Sequence, residues 1–296
     1  MGLTRLGVAG WPVAHSRSPA MHNAALAAAG LTDWRYQHLP IPPHLLAETV
    51  RALPALGFAG LNITIPHKKA ALALADEATP TARAIGAANT LSFDAHGAIS
   101  AENTDAPGFL AALADEDPRT AVVLGAGGSA RAVVHALAQA GVAVKVWNRT
   151  PERARSLAAD LGAEAVQDLP PADLLVQCTS IGLADTSSPF KDLPLTVDSL
   201  DGYACVVDLV YRAGGTELLR EAQRCGSRVI DGIEILVRQG ALSFERWTGR
   251  PAPLDVMRDA ARALSVPHDD DPSRPPSPTP GAADGGRGGV GGSARG

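Results

Sequence analysis

The sequence predicts an α/β protein with mostly parallel sheets, arranged as two successive blocks. Three observations carry this. Short apolar runs alternate with helical patterns over most of the 296 residues, which is the signature of βα units. A glycine-rich turn joins an apolar run to a helical pattern in VVLGAGGSARAVVHALAQAG, making one βαβ unit with the run that follows. The third is where the pattern stops. The last 30 residues hold 14 Gly or Pro and no aromatic residue, too little apolar surface to offset ordering entropy. Residues 267–296 are therefore expected to be a disordered tail, leaving 266 residues for two domains or one large one.

The first block opens with a strand at 5–9 (RLGVA). A helix then starts where Ser18 can cap it, with Pro19 in its first position and Gly30 at its end. WRYQHL (34–39) reads as the next strand, PPHLLAETVRAL as a helix and GLNITI (60–65) as a third strand. Helices are expected at 67–75 and 80–87, then a hairpin in which NTLSF and AISAE flank the turn DAHG. The second block begins after Asp105 with a helix to about Glu116, followed by TAVVL (120–124), the glycine turn and its helix, and VAVKVW (142–147). A helix from Pro151, strands DLLVQ (173–177) and CVVDL (205–209), and two closing helical segments, DGIEILVRQGALSFERW and PLDVMRDAARAL, complete it.

Gly125, Gly127 and Ala130 have the G-x-G-x-x-G/A spacing. The spacing alone is weak, but here it follows a strand and opens a helix, the context in which free N–H groups meet a pyrophosphate. A plain glycine turn is the competing reading. An NAD site places Asp or Glu at the end of the second strand for the ribose 2′-OH. This strand ends instead in Trp147, Asn148, Arg149 and Thr150, with Arg153 one turn on. Guanidinium groups match phosphate oxygens in bidentate geometry, so the cofactor implied is NADP(H), with Arg149, Thr150 and Arg153 reading the 2′-phosphate. A solvated basic helix start is the alternative, although cations there oppose the helix dipole.

A second set of residues points to a small polar ligand. In an extended 60–65 segment, Leu61, Ile63 and Ile65 share one face while Asn62 and Thr64 share the other. Pro66 breaks the ladder and leaves Lys68 and Lys69 near the strand's C-terminal end, where open α/β sheets bind ligands. Ser16 and Ser18 lie beside a helix start, a seat for a carboxylate unless Ser18 only caps. GAANTLSF and AENTDAPGF each put Asn-Thr at a strand edge, and the second adds Asp105, a candidate site acid or a simple N-cap. His15, His22 and His67 show no metal-ligand spacing and read as packing or surface residues; no metal site is expected.

Taken together, HSRSPAMHN, NITIPHK, GAANT, NTDAPGF, GAGGSAR, NRTPERA, DLVYRAGGTELL and DGIEILVRQ, in this order, resemble the NADP-dependent shikimate dehydrogenase family over about residues 5–265. The resemblance implies an N-terminal α/β substrate domain (1–105, completed by C-terminal helices at about 236–266), a Rossmann-like NADP-binding domain (106–235), and a cleft between them. It implies reversible reduction of 3-dehydroshikimate to shikimate, a step of chorismate and aromatic amino-acid biosynthesis. Ser16 and Ser18 would take the substrate carboxylate, with Tyr211 near that end. Asn62, Thr64, Asn89, Asp105 and Gln239 would hold the ring hydroxyls. Lys68, not Lys69, would be the general acid and base, and Asp105 would orient it. Gly125, Ala126, Gly127, Gly128 and Ser129 would form the cofactor turn and Asn148, Arg149, Thr150 and Arg153 the phosphate end, with Leu209 and Gly232 beside the nicotinamide. Three positions depart from the family pattern: Gln177 stands where Asn is usual, Ile235 where Met is usual, and Ala213 where Pro often stands. They put packing around the nicotinamide in question.

Composition limits the alternatives. With 26 Lys and Arg against 31 Asp and Glu, and no long basic cluster, nucleic acid and anionic membrane are not expected partners. The N-terminus lacks a secretory apolar core and no 18-residue apolar run occurs, so a soluble, cytoplasmic protein is expected. Cys178, Cys205 and Cys225 are odd in number and far apart, and read as reduced, packed thiols. A homodimer is left open. The rival functions are a quinate/shikimate or aminoshikimate dehydrogenase on the same scaffold, and a catalytically silent sensor of NADP or shikimate. Arg149 with intact Ser16 and Ser18 argues against the quinate enzymes, and the presence of Lys68 and Asp105 against the sensor.

Overall fold

The computed structural model describes residues 2–114, 116–183, 188–212 and 214–263. The predicted tail at 267–296 and Ala213 lie outside these residues.

The first block forms a six-stranded sheet in the order β2-β1-β3-β5-β6-β4. Its strands are β1 (Thr4–Gly10), β2 (Trp34–Pro40), β3 (Phe58–Ile63), β4 (Glu77–Ala78), β5 (Thr90–Phe93) and β6 (Ile99–Glu102). β1 pairs in parallel with β2 and β3, while β5 pairs antiparallel with β3 and with β6, as the predicted hairpin requires. The helices are α1 (Ser18–Ala28), α2 (Leu46–Ala52), α3 (Lys68–Leu74), α4 (Pro80–Ile85) and α5 (Asp105–Leu113). The second block is an all-parallel sheet in the order β12-β11-β10-β7-β8-β9. It comprises β7 (Thr120–Leu124), β8 (Ala143–Trp147), β9 (Glu164–Ala165), β10 (Ala172–Gln177), β11 (Tyr203–Asp208) and β12 (Arg228–Ile230), with α6 (Gly128–Gln139), α7 (Pro151–Leu161) and α8 (Glu217–Arg224). The chain then returns to the first sheet through α9 (Gly232–Thr248) and α10 (Leu254–Ala263). The short strands β4, β9 and β12 escape the sequence reading because each is too brief to show a period; α8 escapes it although Leu218, Leu219 and Ala222 share its buried face and Thr216 caps it.

Each sheet is covered on both faces, which parallel strands require. Leu6, Val8, Met21, Leu26, Phe244 and Met257 pack the first sheet against α1, α9 and α10, and Leu46, Val50, Leu61, Ile63 and Leu91 fill its other side. In the second sheet, Val123, Val133, Leu137 and Leu157 join Ile85 and Phe109 in one cluster, so α4 and α5 pack on the cofactor-side core. Two further contacts lock the blocks. A Cβ on Gly108 would come within 2.6 Å of the Gln239 backbone N, so only glycine lets α5 and α9 cross this closely. Buried Arg131 of α6 donates from Nε to the Ile85 carbonyl at the end of α4 and from Nη1 to Asp160 Oδ2 at 2.8 Å.

Three local expectations are corrected. Ser18 does not cap α1: Arg17 holds the N-cap position with no side-chain cap bond, Ser18 lies in the first turn, and its N–H meets Ser16 Oγ at 3.3 Å. Asp105 does not cap α5 either, because Thr104 occupies that position and the Ala106 N–H is taken by Asn103 Oδ1 at 3.2 Å. The third strand ends at Ile63; Thr64 N still bonds to Ala9 O at 2.8 Å, but the chain then turns through Pro66 and leaves Ile65 exposed instead of packed.

Candidate active site

A cavity of about 500 Å³ lies at the C-terminal ends of β1 and β3 on one side and of β10 and β11 on the other. This is where an α/β sheet offers helix starts and loop side chains to a ligand. Among the residues singled out from the sequence, Ser16, Ser18, Asn62, Thr64, Lys68, Asn89, Asp105, Ser129, Leu209, Tyr211, Gly232 and Gln239 all line it.

Lys68 is the first residue of α3 and only 8 % exposed. Its Nζ donates to Asp105 Oδ2 at 2.6 Å and to Ser129 Oγ at 2.9 Å. An ammonium has three donors, so one remains for a ligand. Lys69, next along the helix, is exposed and does not line the cavity. Asp105 is fixed in turn: its Oδ1 accepts from Asn89 Nδ2 at 2.8 Å.

Behind this pair is a network of buried amides and hydroxyls. Asn89 Nδ2 has one further proton, shared between Thr104 Oγ1 at 2.9 Å and Gln239 Oε1 at 3.1 Å, and its Oδ1 accepts the Thr104 N–H at 2.7 Å. Asn62 Oδ1 accepts from the Tyr36 hydroxyl at 2.7 Å, and its Nδ2 lies 3.0 Å from Ser243 Oγ and 3.2 Å from Thr90 Oγ1. Asn62 thus keeps one carbonyl lone pair for a ligand. Thr64 differs, because its hydroxyl has no partner among the described residues while its methyl packs where a Cβ on Gly10 would fall. Tyr36 and Ser243 were missed in the sequence, although Ser243 lies one helical turn from Gln239 and so shares its face.

At the other end of the cavity Ser16 Oγ and Ser18 Oγ are 3.2 Å apart at the N-terminus of α1, whose first turn carries no acid. The phenols of Tyr211 and Tyr36 approach Ser16 and Ser18 respectively, and burial raises both above the ordinary tyrosine range. Arg17 sits 5.5 Å from the Tyr211 ring centroid and anchors on the Ala261 carbonyl at 2.8 Å. The hydroxyls of Ser16, Ser18 and Tyr211, which line the cavity, and a helix start suit a carboxylate, while the Tyr36 proton is taken by Asn62. The rim is apolar: Trp11 and Ile65, each about half exposed, are joined by a Trp11 N to Ile65 O bond of 3.0 Å.

Beside the cavity the glycine turn has the form of a dinucleotide site; of Gly125, Ala126, Gly127, Gly128, Ser129, Asn148, Arg149, Thr150 and Arg153, only Ser129 lines the cavity itself. Gly125 takes φ +114, a value L side chains rarely adopt, and leads from β7 into α6. Gly127 at the N-cap has no side-chain cap, and a Cβ there would meet no atom within 4 Å. That opening, with unpaired N–H groups behind it, fits a pyrophosphate. Beyond β8, Asn148 Nδ2 closes the turn on Thr150 O at 2.9 Å. Arg149, Thr150 and Arg153 are exposed, and neither guanidinium has a partner among the described residues. No acid stands at the end of β8. On the nicotinamide side, a Cβ on Gly232 would fall 2.5 Å from Leu209 O, so this glycine allows α9 to start against β11. Gln177, at a departing position, is buried and seals its own turn, accepting from Thr179 N and donating to Ile181 O. Ile235, the second, packs into the cavity wall. Cys178 also lines the cavity, and burial together with the Asp208 carboxylate holds its thiol pKa well above the ordinary cysteine range. All three cysteines are free.

Comparison with known proteins gives a consistent result. Residues 8–91 match the shikimate dehydrogenase substrate binding domain, 111–189 the shikimate / quinate 5-dehydrogenase family and 232–262 the shikimate 5'-dehydrogenase C-terminal domain. The shikimate dehydrogenase (NADP(+)) of Symbiobacterium thermophilum is 45% identical over 280 residues, covering 87% of this chain and 93% of its own length. The crystal structure of shikimate 5-dehydrogenase from Thermus thermophilus in complex with NADP(H) and shikimate superposes with TM-score 0.79 at 43% identity, over 88% of this chain and 99% of that one. Quinate dehydrogenase from Corynebacterium glutamicum in complex with NAD is more distant, at 31% identity and TM-score 0.78, over 89% of this chain and 100% of that one.

Proposed function

Because the chain belongs to the shikimate dehydrogenase family, we propose that it catalyses the reversible, NADPH-dependent reduction of 3-dehydroshikimate to shikimate in chorismate and aromatic amino-acid biosynthesis. The observation that carries the reading is Lys68 Nζ, held 2.6 Å from Asp105 in a cavity that has a hydroxyl-rich carboxylate seat at one end and meets the dinucleotide turn at Ser129.

NADPH, when bound, supplies the hydride for the ketone carbon. Its pyrophosphate would rest on Gly125, Ala126, Gly127, Gly128 and Ser129, its 2′-phosphate on Asn148, Arg149, Thr150 and Arg153, and its nicotinamide near Leu209 and Gly232. Lys68 gives a proton from Nζ to the carbonyl oxygen: an N–H bond breaks, an O–H bond forms, and the electron pair stays on nitrogen. Its positive charge beside that oxygen favours the developing alkoxide. In the reverse direction the neutral amine takes the hydroxyl proton back. Asp105 aims Lys68 and a substrate hydroxyl. Ser16, Ser18 and Tyr211 fix the carboxylate, and Asn62, Thr64, Asn89 and Gln239 read the ring hydroxyls.

The domain division that follows is 1–105 with 236–266 for substrate and 106–235 for cofactor, supported by the return of α9 and α10 to the first sheet. No helix among the described residues is long and apolar enough to cross a membrane; we place the enzyme in the cytoplasm and take a homodimer as the assembly to test by sedimentation.

Steady-state assays of 3-dehydroshikimate, shikimate and quinate, each with both nicotinamide cofactors, test the assignment. Shikimate with NADP⁺ should give the highest kcat/KM. Greater efficiency with quinate and NAD⁺ would reassign the enzyme within its family, and binding without turnover of any pair would make it a sensor.

A further inference from the structure

The cofactor turn touches the lysine directly. Ser129, in the first turn of α6, accepts from Lys68 Nζ at 2.9 Å. Immediately before it, a Cβ on Gly128 would lie 2.9 Å from Lys68 Cβ and 3.0 Å from Cδ. Neighbouring Gly127, by contrast, faces nothing. The two adjacent glycines are therefore constrained by different things: Gly127 by room for a ligand, Gly128 by the stem of Lys68. α6 is itself pinned to the lysine's half of the molecule through Arg131 and the Ile85 carbonyl, so the Ser129 hydroxyl has a fixed position relative to α3.

We propose that Ser129 is a positioning residue for Lys68, and that Gly128 is glycine to admit the lysine stem against the cofactor turn. This rests on Lys68 being the proton donor. The hydroxyl suits the task because it serves both protonation states. It accepts from the ammonium, and after the proton has gone to substrate it rotates to donate to the Nζ lone pair, with no bond broken in Ser129. Asp105, an acceptor when ionised, cannot do the second. The arrangement ties the aim of the acid to the segment that seats the cofactor.

The test compares Ser129→Ala, Ser129→Thr, Gly127→Ala and Gly128→Ala in the full chain, with three readouts: kcat for 3-dehydroshikimate reduction, Kd for NADPH by fluorescence, and the rate of Lys68 acylation by acetic anhydride, mapped by peptide mass spectrometry. A hydrogen bond to a charged group predicts a kcat loss of about tenfold to a hundredfold in Ser129→Ala. Lys68 acylation should rise several-fold, and Kd, which this turn sets through backbone N–H groups that Ser129→Ala keeps, should stay within about threefold. Ser129→Thr should restore kcat and protection. Gly128→Ala should alter Lys68 acylation and lower kcat, whereas Gly127→Ala should raise Kd for NADPH without exposing Lys68. Unchanged acylation and kcat in Ser129→Ala overturns the proposal, as does a loss of NADPH affinity matching the loss of kcat that Ser129→Thr does not rescue. Acylation needs no turnover, so it decides the lysine–serine contact even if the wild-type protein fails to reduce 3-dehydroshikimate, a failure that would count against the assigned reaction instead.

Discussion

The substrate wall of the cavity and the cofactor wall, meaning the glycine turn and the Arg149 end of β8 that reach the cavity only at Ser129, are built in opposite ways. On the substrate side Lys68, Asp105, Asn89, Gln239 and Asn62 are already bonded to one another or to Thr104, Tyr36 and Ser243, and almost all are buried. On the cofactor side Arg149 and Arg153 stand in solvent without partners, and Gly127 faces open space. The substrate wall fixes where atoms sit before anything binds, which suits a step needing a proton at one place. The cofactor wall leaves its donors open, so its binding free energy comes from groups that give up only water. Damage to the first wall should therefore cost turnover or stability, and damage to the open part of the second, at Gly127, Arg149 and Arg153, should cost affinity alone.

The largest expected effect is at Lys68. Lys68→Ala should lower kcat by about 10²–10⁴-fold, the usual yield of general acid–base catalysis, with KM for substrate changed only a few-fold. Lys69→Ala, one residue on and exposed, should stay near wild type in both. Equal losses at the two positions in a steady-state assay would remove the distinction the geometry makes. Asn89→Ala comes next. It leaves the buried Thr104 N–H and an Asp105 oxygen without their partners, so urea unfolding should report a loss of about 2–4 kcal/mol. A stable Asn89→Ala would mean the wall is not the self-supporting network described.

The walls also differ in how much of them could be read along the chain. The cofactor wall is local: strand, glycine turn, helix and the Arg149 end of the next strand lie within about 30 residues, so spacing and context carried most of it. The substrate wall draws on β3, α3, β5, α5 and α9, and no local pattern says that Gln239 meets Asn89. Only the ordered motifs and their family likeness did so. Capping propensity left Ser18 and Asp105 open, because a residue that can cap at a helix start can equally face a cleft; tertiary contacts decide, and neither caps. Alternation misled at Ile65 because the strand ended two residues earlier. The Lys68–Ser129 contact has no sequence signal, since it depends on how the two sheets meet.

Beneath the substrate wall His22 is fully buried, stacked on Tyr36 at 4.3 Å, and neither ring nitrogen has a hydrogen-bond partner among the described residues. Burial lowers its pKa to about 3. The unfolded chain protonates this imidazole near 6.5, so His22 contributes full stability above that pH and loses it as pH falls toward 3. Asp208, raised by burial to about 6, acts in the opposite sense over pH 3.8–6, because its neutral form is favoured in the fold. The comparison must therefore be made between proteins. Between pH 7.5 and 4.5 the wild type should lose about 2–3 kcal/mol more stability than His22→Leu, since Asp208 is common to both. Parallel losses in denaturant titrations would show that His22 is hydrated or paired in solution.

The smallest effect belongs to the cofactor wall. Arg149 is exposed and unpaired, so Arg149→Ala removes no internal contact and should leave the unfolding midpoint within about 0.5 kcal/mol of wild type. What it removes is a guanidinium for the 2′-phosphate, a group NADH lacks. The expected loss is about tenfold to a hundredfold in kcat/KM for NADPH, from one charge-assisted hydrogen-bonding group, with NADH use little changed. Arg153→Ala should do less, because Arg149 remains, and the double variant should approach equal use of the two cofactors. If the unmutated protein uses NADH and NADPH equally, the two cations are only a solvated helix start. If Arg149→Ala also lowers stability by more than about 1 kcal/mol, well beyond the usual range for a surface substitution, the cofactor wall is as interlocked as the substrate wall, and the contrast between them fails.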